Sequence, residues 1–564
     1  MRTLGTFEVC ALRGHEPSRN GNLLARSVYR DSGSDECLRL TVELLGNCLN
    51  THGSCCANYP VLSQLPTRVI DTAGANPRLI DSGGRKDKFA ALSYCWGGDG
   101  NFKLTRATEQ SFRDGRPLSE FPATLRDAIT ISKALDIRFI WIDALCIIQD
   151  CDQDWAHEAS RMREVYRGAV VTIAAACASK ASEGIFRERE QSDQPRCWLD
   201  WIDGAPSTSK VFLRPGSELW DERMHQSVLN TRGWVLQETL LAPRTLWFGH
   251  QQLCFECPRG SIDEGGRFLR VTEMYRSKEY MQTLRMRILP TWKRRLLPLL
   301  RHLNLPTTSM FLWPSLTDII KARDWETIRH RAIPARPLTL QGVFRHPGDP
   351  AMLSHFDYWV HIIGNYSSRN LTKPTDVLPA LSGIASEFHR ATGDTYVAGL
   401  WKMDIIRGLG WTRGGLRRKA AGGWTEPEPT LPEHYLGPSW SWMSILGKRV
   451  DFMITDHFDH VDPLAKVINI EIQPATNDPF GALKAASITL QAPVLTLESE
   501  NITTAPPTSR YPKLMARLYS IFKYQGPSEF GQKHQGYPGQ RFILLYLLKT
   551  RDALRDRVNK VGDE

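Results

Sequence analysis

From Phe89 to Ala175, short apolar segments alternate with amphipathic ones, and this alternation leaves few architectures open to the chain. Phe89-Ala-Ala-Leu-Ser-Tyr94 is a short strand that runs into the glycine-rich turn Cys95-Trp96-Gly97-Gly98-Asp99-Gly100. Pro122 to Leu135 sets Leu125, Ala128, Ile129, Ile131 and Leu135 along one side, with Pro122 suited to a helix start. Arg138-Phe-Ile-Trp-Ile-Asp143 is β-branched and aromatic and too short for a helix, so it predicts a buried strand. Asp152 and Asp154 are candidate N-caps for one helix reaching about Tyr166, where Trp155, Ala159, Met162 and Tyr166 form a packed stripe. Ala169 to Ala175 closes the series as another strand. Strand, helix, strand, helix, strand predicts a parallel sheet with crossover helices, whose ligands sit at the carboxyl ends of the strands. Here those ends carry Ser93 to Gly97 and Asp143 to Asp150.

Several blocks resemble, in order and spacing, those of the fungal heterokaryon-incompatibility (HET) domain family. They are Ala91-Leu-Ser-Tyr-Cys-Trp-Gly97, Phe121-Pro-Ala-Thr-Leu-Arg-Asp-Ala-Ile129 and Trp141-Ile-Asp-Ala-Leu-Cys-Ile-Ile-Gln-Asp150, continued by Asp154-Trp155, Glu158, Met162 and Tyr166. Downstream, Arg232-Gly-Trp-Val-Leu-Gln-Glu238 and Pro438-Ser-Trp-Ser-Trp442 are also similar to family blocks. The family is distantly similar to TIR domains, so the resemblance implies an α/β fold, a TIR-like parallel sheet flanked by helices. It further implies a part in fungal nonself recognition and regulated cell death, inside the cell. Some TIR domains cleave NAD through a helical glutamate, while others only assemble signalling complexes. The expected partners are accordingly other incompatibility proteins or further copies of the chain, with NAD as a substrate and no resident cofactor or metal.

An NAD-cleaving site needs a carboxylate near the nicotinamide ribose. Glu158 is the candidate catalytic residue: it lies at the edge of the apolar stripe, and a capping box at Asp154 would use position 157 instead. The plainer reading pairs Glu158 with Arg161 or Arg126, or leaves it solvated. Ser93, Tyr94, Trp96, Gly97 and Asp143 are the candidate cofactor-binding residues. Trp96 would stack on a ring or serve as a core anchor; Asp143 would bond a ribose or cap the following turn. The glycines match neither a P-loop nor a dinucleotide fingerprint. Cys146 sits in apolar sequence and reads as a structural thiol. Arg232 and Glu238 read as an ion pair or loop anchor, and Trp440 and Trp442 as aromatics packing from an extended segment.

The 564 residues allow two to four domains. The reading divides them into an irregular and helical region at 1–84, the HET domain at 85–260, a basic Leu/Arg-rich insertion at 261–350 and a mixed α+β region at 351–564. Lys and Arg exceed Asp and Glu by 10, and the stretch 267–345 alone carries 16 basic and 5 acidic residues. The remainder is nearly neutral, so the charge gives no ground for nucleic-acid binding by the HET domain; binding of nucleic acid or an anionic surface through the insertion is the least favoured class. No apolar run approaches membrane-span length and no signal peptide opens the chain, which predicts a cytoplasmic protein. Twelve cysteines lack the spacing of a disulfide framework. Cys48-x3-His52-x2-Cys55-Cys56 shows no obvious fourth zinc ligand, and Cys254-x2-Cys257 resembles half a zinc site without a second pair. Both are expected to be reduced, buried thiols.

Overall fold

The computed structural model describes residues 7–11, 25–52, 61–98, 102–189, 198–201, 209–215, 227–258, 260–266, 268–270, 355–413, 435–444, 449–452, 461–463, 465–491, 494–498, 541–545 and 548–550. Apart from one short strand, the basic stretch 267–345 therefore lies outside the described residues, as do Cys55 and Cys56. The chain divides into two compact units: Met1–Leu353 with Pro379–Thr392, and Ser354–Leu378 with Gly393–Glu564.

The first unit is organised by a nine-stranded sheet. In chain order its strands are β1 (Arg68–Asp71), β2 (Arg78–Asp81), β3 (Phe89–Ser93), β4 (Phe139–Trp141), β5 (Val171–Ala174), β6 (Thr245–Phe248), β7 (Leu253–Cys257), β8 (Gly260–Asp263) and β9 (Phe268–Arg270). Across the sheet they run β9-β8-β7-β6-β5-β3-β4-β1-β2. The middle four, β6, β5, β3 and β4, are parallel, while both flanks are antiparallel. The predicted all-parallel sheet is thus corrected to a mixed one. The reason is connection length: β1–β2 and β6 through β9 are joined by short links, and a parallel pair needs a crossover of a dozen residues or more. Every described position of β3, β4, β5 and β6 is buried, as strands covered on both faces must be.

Helices flank this sheet, and six of them matter for the site. They are α1 (Asp35–Thr51), α2 (Ala123–Ala134), α3 (Asp152–Ser160), α4 (Met162–Gly168), α5 (Gly233–Leu240) and α6 (Pro379–Thr392). The predicted stripe of α2 is buried at Leu125, Ala128, Ile129, Ile131 and Leu135. Helix α2 packs on β4 and on α1, whereas α4 packs on β3 and, with α3, on α6; α5 joins the second group through α4 and α6. The single helix expected to reach Tyr166 is two, because Arg161 adopts φ −99° and ψ 0° and separates α3 from α4. Neither Asp152 nor Asp154 is the N-cap; Cys151 holds that position without a side-chain cap, and both aspartates fall in the first turn. There they complement the helix dipole.

In the second unit, helix His355–Tyr366 packs an aromatic cluster. Trp359 lies edge-on to Tyr396 and Trp401, and Tyr366 lies edge-on to Trp442. The Gly399 carbonyl accepts from the indole N–H of Trp359 at 2.8 Å and of Trp442 at 2.9 Å. Gly399 has φ +85°, and a Cβ there would stand 2.7 Å from the Trp442 indole nitrogen, so only glycine fits. The segment around Trp440 and Trp442 is not extended as predicted but a turn leading into a 3₁₀ helix at Trp442–Ser444. Strands Lys466–Pro474 and Leu483–Gln491 pair antiparallel.

Buried polar side chains fix the loops around the sheet. Asp127 of α2 accepts from the backbone N–H of Ile185 at 2.7 Å and of Phe186 at 3.2 Å. Thr124, one turn earlier, accepts from Gly184 N and donates to the Lys180 carbonyl. Asp127→Ala would strand two backbone donors and is expected to cost roughly 2–3 kcal/mol. Asp127→Asn, which keeps an acceptor oxygen, should cost less; urea unfolding of the full chain measures both.

Candidate functional site

β3 and β5 are the first and third parallel strands in chain order but lie side by side, which makes the gap at their carboxyl ends a topological switch point. Ser93, ending β3, is in register with Ala174, ending β5. The Ser93 hydroxyl donates to Glu238 Oε2 of α5 over 2.5 Å. Both residues are closed off, at 1% and 4% exposure. The Tyr166 hydroxyl donates to the Leu92 carbonyl at 3.2 Å and also bonds the Glu238 carboxyl. Arg232, which precedes α5, donates from Nη1 to the Tyr94 carbonyl. Nearer the surface, Trp96 Nε1 donates to Asp143 Oδ2 at 2.9 Å, and Asp143 Oδ1 accepts from Ala144 N at 2.7 Å. Trp96 and Asp143 are half-buried, so this pair is the rim that solvent reaches.

Burial dominates the electrostatics of the cluster. It drives the Glu238 carboxyl up to about 7, against the opposing pull of the Arg232 charge and the Ser93 hydrogen bond. Asp143 is raised for the same reason and is likewise opposed by Arg232. The Tyr94 and Tyr166 phenols stand well above their ordinary value through burial, reinforced by these carboxylates. Burial also pushes the Cys146 thiol up to about 12, which leaves it protonated and non-nucleophilic at neutral pH. Gly97 has φ +72°, and a Cβ there would come within 2.5 Å of the Lys180 backbone. The turn and the approach of Lys180 therefore account for this glycine.

Ser93, Tyr94, Trp96, Gly97 and Asp143 thus gather at the strand ends, as their sequence positions predict. Glu158 does not join them. It lies on α3 with 1% exposure, and its Oε1 has no hydrogen-bond partner. Its cationic neighbour is Arg68 at 3.8 Å, rather than Arg161 or Arg126. Arg68 also donates to Asp154 at 2.5 Å and to the Cys146 carbonyl at 2.8 Å. Glu158 belongs to the wall of a cavity of about 290 Å³, together with Ser63, Thr67, Arg161, Arg163 and Arg167. Ser63 pairs with Asp87 just before β3, and Gly168, also in the wall, precedes β5. The cavity therefore lies beside the amino ends of these strands, and the sequence-predicted site is divided between two places.

With this geometry in hand, comparison with known families is decisive for one stretch: residues 89–238 match the family model described as heterokaryon incompatibility protein (HET). This stretch is a HET domain. No curated protein and no solved structure matches the chain. The match begins at Phe89, the first residue of β3, and ends at Glu238, whose carboxyl meets the last residue of that same strand. The HET domain is therefore closed on itself by the Ser93–Glu238 hydrogen bond.

Reading the sequence missed the part played by Glu238 and Tyr166 in this cluster, and Arg68 altogether. One signal was present: Gln237-Glu238 sits in a largely apolar eight-residue helix, where adjacent polar groups require partners. Glu238 also makes stability depend on pH in a defined direction. Its carboxyl titrates near 4.5 when unfolded and near 7 when folded, so the folded state holds the extra proton. Its contribution is complete below 4.5 and is lost as pH rises through about 7. Glu238→Gln should flatten that fall, changing the wild-type-to-variant difference by up to about 3 kcal/mol across the window. Urea unfolding at pH values on either side of it tests the sign.

Proposed function

We propose that the chain acts in fungal heterokaryon incompatibility, in the cytoplasm, and that its HET domain promotes regulated cell death by cleaving NAD, in the manner of TIR-like enzymes. The observation that carries this reading is the cavity at Glu158: a buried carboxylate with an unbonded oxygen shares a wall with guanidinium groups. The Arg161 guanidinium makes no ion pair among the described residues and donates to Thr67 Oγ1 at 2.9 Å. A cation for a phosphate and a carboxylate for the ribose are the two groups that nucleotide cleavage needs. A volume of about 290 Å³ suits the nicotinamide riboside end of the molecule rather than all of it. In the reaction the bond from ribose C1′ to the nicotinamide nitrogen breaks, and its electron pair neutralises the pyridinium. Water adds at C1′ and gives up a proton, yielding nicotinamide and ADP-ribose. Glu158 stabilises the positive charge that develops on the ribose.

A second reading, that the HET domain is a non-enzymatic assembly module working through incompatibility partners or copies of itself, draws on a different observation. At the strand ends Ser93 and Glu238 are closed off against each other, apart from Glu158. Purified full chain, alone and after forced oligomerisation through a fused tag, should release nicotinamide from NAD. Glu158→Gln should cut the rate at least about 100-fold with an unchanged melting temperature. Absence of release from the wild type in both states rules out the enzyme, and toxicity retained by Glu158→Gln in cells then favours assembly.

A further inference from the structure

Helix α1 carries Cys48 in its last turn, and His52 caps its C-terminus, with the His52 N–H bonded to the Cys48 carbonyl at 3.1 Å. A spacing of four residues puts both side chains on one face of the helix. Cys257 ends β7, the strand on which α1 packs. Although 205 residues separate them in sequence, Cys257 Sγ lies 3.4 Å from His52 Nδ1. The donor atoms of Cys48, His52 and Cys257 all fall within 4.8 Å of one another. Each half looked incomplete in the sequence for want of the other.

We propose that Cys48, His52 and Cys257 bind a zinc ion that clamps the end of α1 to the end of β7. Zinc–sulfur and zinc–nitrogen bonds of about 2.3 and 2.0–2.1 Å at a tetrahedral angle place two sulfurs about 3.8 Å apart and a sulfur and a nitrogen about 3.6 Å apart. The observed spread meets those edges after a shift of about 1 Å. Two thiolates and an imidazole are a soft, nitrogen–sulfur set that selects zinc over magnesium or calcium. Two thiolates neutralise a dication, so an ion held by the buried Cys48 and Cys257 adds no charge of its own to the core. The C-terminus of a 17-residue helix with no basic residue in its last turn favours a cation at this point. Arg244, itself buried, donates from Nε to Cys48 Sγ at 3.3 Å, the outer-sphere bond that steadies a ligating thiolate. Three protein donors leave one tetrahedral position for a water molecule or a further ligand.

The test is the metal content of the full chain, expressed in zinc-containing medium and desalted, measured by plasma mass spectrometry. One zinc per chain is expected, together with a fall in melting temperature on chelation. His52→Ala and Cys257→Ser should each lose the metal, while Cys151→Ser, which alters a thiol outside the cluster, should keep it. Cobalt loaded in place of zinc should give the visible bands of a tetrahedral site and a thiolate-to-cobalt charge-transfer band that Cys48→Ser weakens. Should a ligand variant fail to fold, alkylation of the wild type decides: Cys48 and Cys257 should be protected until zinc is removed. Substoichiometric zinc, zinc retained by Cys257→Ser, or a Cys48–Cys257 disulfide in the native protein would each overturn the proposal.

Discussion

The burial of Glu238 against the end of β3 is the interaction on which the first unit depends. An eight-residue helix such as α5 has little stability of its own in water. It is held instead by polar anchors: Glu238 on Ser93, Gln237 accepting from the Gly383 N–H of α6 at 2.9 Å, and Arg232 on the Tyr94 carbonyl. An ionised carboxylate in that position would be expensive, and the fold answers by holding a proton there up to about pH 7. The same proton keeps two neighbouring acids, Glu238 and Asp143, from repelling one another around a single guanidinium.

Elsewhere in this unit, arginine does the long-range joining. Arg68 ties β1 to the turn after β4 and to α3, and Arg244 reaches the Val170 carbonyl before β5 as well as Cys48. Arg189 and Glu264 form a buried pair at 2.7 Å, and Glu264 also accepts from Tyr29 N and Leu253 N. Buried pairs of this kind add little net stability against an apolar alternative, but removing one partner is costly. They therefore fix which segments meet more than they determine how tightly the protein holds together.

How much of this was legible in the sequence follows from the range of each signal. The stripe of α2 and the apolar strands β3, β4 and β5 were readable because their patterns are local and strong. Strands β1 and β2, Arg-Val-Ile-Asp and Arg-Leu-Ile-Asp, are too short and too charged at their ends to stand out from the irregular sequence around them. The break at Arg161 escaped because the apolar stripe runs through it without a change of period. At the candidate site, Ser93, Trp96 and Asp143 were found from their places at strand ends. The bond from Ser93 to Glu238 spans 145 residues and leaves no local trace. The separation of Glu158 from those residues was equally invisible, since it depends on which side of the sheet ends α3 and α4 lie.

Helix α6 gives the family boundary a further meaning. The HET match ends at Glu238, yet the unit containing it takes in Pro379–Thr392 from far along the chain. Glu387 of that helix meets both Arg163 and Arg167, and Gly383 fits against Gln237 so closely that a Cβ would stand 2.5 Å from its amide oxygen. A gene rearrangement that copied only the recognisable stretch into another protein would take Glu387 away from both arginines and leave a buried amide oxygen without its donor. The sequence that identifies the domain is thus shorter than the sequence that can be inherited as one. Recombination within the intervening coding region would separate parts that fold together.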